Sequence, residues 1–206
     1  MAKAADQSRP RKKPRGRWLP PEQIYQLKVT LRWIKPPVWR RVLVGSHRAL
    51  GDLHHTIQCV FGWEDCHLHQ FDVQGEHYVA GWEDEVGDAI DEDTVCLCEL
   101  GLKPTRKFRY RYDFGDNWEH EILLEKVLEP QPDVRYPVCL TGRRAGPPED
   151  CGGPWGYADL LETLADPTSS EHEEMLQWLG GPIDPEAFSL DDVNARLHGR
   201  RRSSRR

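Results

Sequence analysis

Hydrophobic and polar residues alternate along IYQLKVTLRWI, residues 24–34. Tyr25, Leu27, Val29, Leu31 and Trp33 share one face, and Lys28, Thr30 and Arg32 the other. A period of two predicts a half-buried strand. Pro36 and Pro37 end it, and VWRRVLV predicts a second strand. In ALGDLHHTIQCVFGW the period lengthens: Leu50, Leu53, Ile57, Val60 and Phe61 recur at helical spacing, and Gly62 predicts the stop. HLHQFDV and HYVAGW predict a hairpin around Gly75. Three helical patterns close the chain: YADLLETLAD, SSEHEEMLQWLGG and SLDDVNARLHG. The last opens on a capping pair, Ser189 and Asp192, and ends at Gly199. Strands first and helices mostly last predict an α+β fold. Its mostly antiparallel sheet would be built from hairpins and packed with an early helix and several C-terminal helices.

The sharpest alternation lies in residues 107–125. Phe108, Tyr110, Tyr112 and Phe114 share a face, as do Trp118, His120, Ile122 and Leu124. A three-residue loop, Gly115-Asp116-Asn117, predicts Phe114 opposite Trp118, Tyr112 opposite His120 and Arg111 opposite Glu121. A two-residue loop would mix the faces. The chosen register sets Asp113 against Glu119, a like-charge pair that asks for a cation nearby: Arg111, a helix end or a metal ion.

Composition narrows the classes. The chain has 206 residues, 30% of them charged. It contains no apolar run near the roughly 20 residues of a membrane span, and its start lacks the apolar core of a secretory signal. Six cysteines without such a signal predict reduced thiols and a cytoplasmic protein. The net charge of −6 hides a segregation. Residues 1–17 carry seven Lys/Arg and one Asp, +6, and residues 196–206 carry six Arg, also +6. Residues 18–195 hold the other 15 basic and 33 acidic residues, −18. The composition predicts a disordered basic arm over 1–19, one domain over 20–198 and a disordered basic tail over 199–206. EDEVGDAIDED, residues 83–93, reads as a solvated acidic loop without the ligand spacing of a calcium loop.

Five stretches together resemble the plasmid pRiA4b ORF-3-like family, also labelled TnpR-like passenger proteins of insertion elements. They are PPVWRRVLV, LGDLHHTIQCVFGW followed by HLHQF, YRYDFGDNWEH, PPEDCGGPWGY and DPEAFSLDDVNARL. The resemblance spans about residues 24–197 and implies a compact α+β domain without implying an activity. The resolvase label finds no support in residues. Outside the basic ends the serines are Ser46, Ser169, Ser170 and Ser189, and each precedes, starts or caps a predicted helix.

The matching motifs concentrate His67, His69, Asp113, Asp116, His120, Glu149 and Asp150. Imidazole with carboxylate suits a divalent transition metal such as zinc or manganese, which could activate water. Each residue also has a structural reading. His120 fits a core position, Asp116 and Asn117 fit turn bonds, and Glu149-Asp150 fit a helix cap or partners for Arg40 and Arg41. Cys139 and Cys151 are further soft donors. A second surface is basic: Lys28, Arg32, Lys107, Arg109 and Arg111 leave the outer strand faces, with Trp39 and Trp82 for stacking if those strands are neighbours. Salt bridges to Glu121, Glu125 and the acidic loop would neutralise it.

Two functions follow as expectations. One is a non-enzymatic, mobile-element-associated accessory protein that contacts a protein or nucleic acid partner through its loops and basic tails. The alternative is a metal-dependent hydrolase centred on the Asp/His/Glu cluster.

Overall fold

In the computed structural model, residues 19–81 and 89–199 are described. The basic arm, the basic tail, Trp82 and most of the acidic loop therefore lie outside the described residues. The strands are β1 (Ile24–Leu31), β2 (Trp39–Gly45), β3 (His69–Val73), β4 (Glu76–Val79), β5 (Ile90–Asp91), β6 (Lys107–Tyr112), β7 (Trp118–Leu128) and β8 (Val138–Arg143). The helices are α1 (Leu50–Phe61), α2 (Gly153–Ala165), α3 (His172–Leu179) and α4 (Leu190–Gly199). One sheet runs in the order β5-β4-β3-β6-β7-β1-β2-β8, antiparallel except for the short β4–β5 pair. This is the α+β fold that the residue periods predict. Among the described residues, no helix is long and apolar enough to cross a membrane.

The alternation of β1 sends Tyr25, Leu27, Val29 and Leu31 into the core, with α1 on the same side of the sheet. Trp33 does not continue the series: the chain turns there into a left-handed conformation (φ 68°), leaving the indole 58% exposed. Helix α1 ends where Gly62 takes φ 88° and donates its N–H to Gln58 O at 2.9 Å. Immediately after it, Trp63 is fully buried. Its ring stacks on Tyr112 at 5.1 Å, and its Nε1 donates to Pro147 O at 2.9 Å. That single side chain ties the end of α1 to the loop before α2.

The β6–β7 register differs from expectation by two residues. Tyr112 faces Trp118, Tyr110 faces His120, and Arg111 faces Glu119. A shift of two keeps every side chain within β6 and β7 on its predicted face. The loop is five residues, 113–117, because Asp113 enters the left-handed region (φ 57°) and its carbonyl accepts the Asn117 N–H at 2.7 Å. Phe114 therefore leaves the core and is 42% exposed. The expected clash of Asp113 with Glu119 does not occur, since Glu119 pairs with Arg32 and stands opposite Arg111.

The outer edge of β8 is closed by a side chain. Asn194 of α4 accepts the Cys139 N–H at 2.8 Å and donates to the Cys139 carbonyl at 3.0 Å, mimicking a neighbouring strand.

Candidate metal centre

Three segments far apart in sequence meet beside the β3 and β6 ends. They are the loop after α1, the β6–β7 turn and the loop before α2. Asp113 N–H donates to Leu68 O at 2.8 Å, joining the first two. Gly153 joins the turn to α2: it sits so close to the Asp116 carbonyl that a Cβ there would lie 2.1 Å from the oxygen. Asp116 Oδ2 also accepts the Gly152 N–H at 3.1 Å. The first two segments bound a cleft of about 370 Å³ lined by Asp65, Cys66, His67, His69, Asp113 and Phe114 among others. That volume lies in the range of small-molecule sites. Asp65, Asp113 and Asp150 all hold left-handed backbone conformations (φ 64°, 57° and 58°). Aspartate tolerates this region better than most residues, and such positions gather at functional sites.

His67, Asp113 and Asp150 converge here. His67 Nε2 lies 3.0 Å from Asp150 Oδ1 and 3.7 Å from Asp113 Oδ2. The nitrogen is buried from solvent, yet it meets no acceptor or donor with hydrogen-bond geometry. Glu149 stands beside them. It accepts the Tyr112 hydroxyl on Oε1 and the Glu64 N–H on Oε2 at 2.7 Å. Burial first, and this bond to Glu149 second, raise the Tyr112 hydroxyl well above the usual phenol range, so it stays a donor. Its oxygen also takes the Cys66 N–H at 3.1 Å.

The other expected ligands go elsewhere. His67 precedes β3, so it does not share a strand face with His69. His69 points inward: Nε2 is 2.8 Å from Glu92 Oε2, both groups are buried, and its ring stacks on His54 at 3.5 Å. Glu92, expected in a solvated loop, is thus a core residue. His120 is fully buried among Phe61, Trp63 and Tyr110, and burial pushes its pKa down to about 3. Asp116 holds the Gly152 N–H of the loop before α2, and within the turn it is Asp113 Oδ1 that accepts an amide, the Gly115 N–H at 2.8 Å. Glu149 and Asp150 neither cap a helix nor meet Arg40 and Arg41. Arg40 turns inward and donates to the carbonyls of Val60, Trp39 and Arg143 at 2.9, 2.9 and 3.0 Å. Arg41 clamps Glu125 at 2.6 and 2.8 Å. Cys139 is buried, and burial followed by Asp116 pushes the Cys151 thiol up to about 12. Among the described residues, no disulfide joins any of the cysteines.

Another grouping, His54, His55 and Asp65, has no counterpart among the sequence expectations, and it reads as a satisfied network. Asp65 can only accept, so His54 Nε2–H donates to Asp65 Oδ1 at 2.6 Å, and His54 Nδ1 accepts from the Tyr110 hydroxyl at 2.7 Å. Burial, offset only in part by that aspartate, pushes His54 down to about 3. Burial alone would raise the Asp65 carboxyl. Hydrogen bonds from His54 and His55 outweigh it and hold the carboxyl well below the usual range. Both nitrogens of His54 are committed, unlike Nε2 of His67.

The basic residues do not form a free patch. The strands that carry them are separated by β7. β7 brings Glu119 to Arg32 and Glu121 to Lys107, the latter at 2.8 Å, with Glu121 opposite Arg109. Lys28 lies over the Trp39 ring and Arg111 over the Phe114 ring, each 4.9 Å from the centroid.

The family model described as plasmid pRiA4b ORF-3-like protein matches residues 23–192. The chain belongs to the plasmid pRiA4b ORF-3-like family. A relative, the uncharacterized protein y4hQ of Sinorhizobium fredii, is 39% identical over 174 residues, covering 83% of this chain and 89% of its own. The crystal structure of MM3350, a protein of unknown function from Methanosarcina mazei Go1, superposes with a TM-score of 0.77 at 39% identity. The match covers 84% of this chain and 98% of that one. The matched pRiA4b ORF-3-like region contains every residue of the His67, Asp113 and Asp150 centre. Sequence reasoning missed Cys66, which stands beside His67 in WEDCHLHQF. A cysteine adjoining a histidine in a loop was the available signal. It also missed Tyr112 as the residue that positions Glu149.

Proposed function

We propose that the protein is a metal-dependent hydrolase that holds a divalent transition ion between His67, Asp113 and Asp150. The observation that carries the reading is the buried Nε2 of His67, 3.0 Å from Asp150 and 3.7 Å from Asp113 without hydrogen-bond geometry to either. One imidazole and two carboxylates suit zinc or manganese, and an open cleft leaves coordination positions for water and substrate. An ion so held would lower the pKa of bound water and polarise a substrate oxygen. The chain's own contribution is orientation: the Asp113 backbone is fixed by Leu68, and Glu149 by Tyr112 and Glu64. The test is metal analysis of the full chain purified without chelator, followed by thermal unfolding with added zinc or manganese. Stoichiometric metal in the native chain, absent from His67→Ala, is expected. Only trace metal together with no stabilisation by either ion would overturn the proposal.

A second reading, an accessory protein of mobile elements that binds nucleic acid, is favoured by the segregation of +6 at each end against an acidic body. With the sheet cations paired, it rests on the basic ends. Binding in gel-shift assays at low salt, lost on removing residues 1–17 and 196–206, is the expected outcome. Absence of binding by the full chain rejects it.

A further inference from the structure

We propose that Cys66 is a thiolate ligand of this same site, so that the resident ion is a thiophilic one, zinc rather than manganese. The inference rests on the metal-centre reading and adds a donor to it. Cys66, His67 and Glu149 each offer a ligand atom, and these atoms lie within 4.8 Å of one another; the same holds for His67, Asp113 and Asp150. The two sets share His67, and Glu149 and Asp150 are consecutive, so one loop serves both.

Cysteine is among the residue types most often buried, yet Cys66 is exposed at the rim of the cleft. Its Sγ lies 3.6 Å from Glu149 Oε1 and 3.9 Å from the Tyr112 hydroxyl. Tyr112 controls both neighbours of the sulfur, receiving the Cys66 N–H and donating to Glu149. Such outer hydrogen bonds orient ligands at metal centres. Carboxylate and imidazole alone discriminate poorly between zinc and manganese, whereas a soft thiolate selects zinc.

Cobalt(II) is the probe, because it reports two things separately. Its visible d–d bands show that the ion is bound, and a near-ultraviolet sulfur-to-cobalt charge-transfer band shows that a thiolate is a ligand. Titrating the full chain with cobalt should raise both together. Cys66→Ser should lose the charge-transfer band and keep the d–d bands, and its preference for zinc over manganese in competition should fall about tenfold or more. His67→Ala should lose both. d–d bands that depend on His67, with no charge-transfer band in the unaltered chain, would overturn the thiolate ligand and leave the metal centre standing. Persistence of the charge-transfer band in Cys66→Ser would assign it to another cysteine and also overturn the proposal. No cobalt spectrum of either kind would overturn both readings. Cys66 is exposed and serine is nearly isosteric, so the variant is expected to fold; matching circular dichroism spectra verify this.

Discussion

Tyr112 performs three tasks with one ring and one oxygen. The ring stacks on Trp63 in the core, while the hydroxyl reaches the cleft to hold Glu149 and the Cys66 backbone. Tyr112→Phe keeps the stack and removes only the oxygen. A carboxylate then loses a donor and a backbone N–H loses its acceptor. A loss of about 1–3 kcal/mol is expected in urea unfolding, and zinc affinity measured by calorimetry should weaken about tenfold or more. Unchanged values in both experiments would remove the positioning role assigned to the hydroxyl. His120 shows the opposite case. Its place in the motif suggests chemistry, but its ring is buried against Phe61, Trp63 and Tyr110, with Nδ1 3.0 Å from the Trp118 carbonyl.

At the scale of elements, the faces and the turn at Gly75 were legible in the sequence, and the length of the β6–β7 turn was not. The alternation through 107–125 placed Phe108, Tyr110, Tyr112, Trp118, His120 and Ile122 on the buried side, as found. Periodicity carries no information about how many residues a reversal uses. Phe114 looked like the partner of Trp118 because it is aromatic and in phase, yet Asp113 had already turned the chain. The site was half legible for a related reason. His67, Asp113 and Asp150 could be named from their motifs, but their meeting depends on Trp63 and Gly153 drawing distant loops together. The same lack of long-range information hid the edge closure by Asn194, which lies 55 positions from its partner Cys139. Asn194→Ala would leave the Cys139 N–H and carbonyl without that partner. The expected result is about 1–3 kcal/mol lost in urea unfolding, with faster growth of light scattering on warming as the strand edge opens. Stability and scattering equal to those of the unaltered chain would mean that Asn194 does not guard the edge.

For the whole molecule, buried imidazoles set the response to acid. His54 and His120 titrate near 3 when folded, against 6.5 for the free side chain. Above pH 6.5 neither state holds these protons, and the contribution is intact. Below it, the unfolded chain binds protons that the folded chain refuses, so stability falls until the folded values near 3 are reached. Each group should contribute on the order of 1 kcal/mol per pH unit across that window. Asp65, whose folded carboxyl is held low, extends the loss in the same direction at still lower pH. Urea unfolding at pH 7 and pH 5 measures this, and equal stability at both would contradict it.

The dispersal of the cleft's residues over the chain also bears on the order of its making. The loop after α1, the β6–β7 turn and the loop around residue 150 are separate in sequence and adjacent only in the finished fold. A chain growing from its N-terminus cannot assemble the centre until residue 150 has left the ribosome and its loop has docked against Trp63 through Pro147. Fragments released earlier would carry His67 and Asp113 without Asp150. An ion bound at the complete site would therefore favour the finished chain over its nascent forms and would act as a seal on completed synthesis.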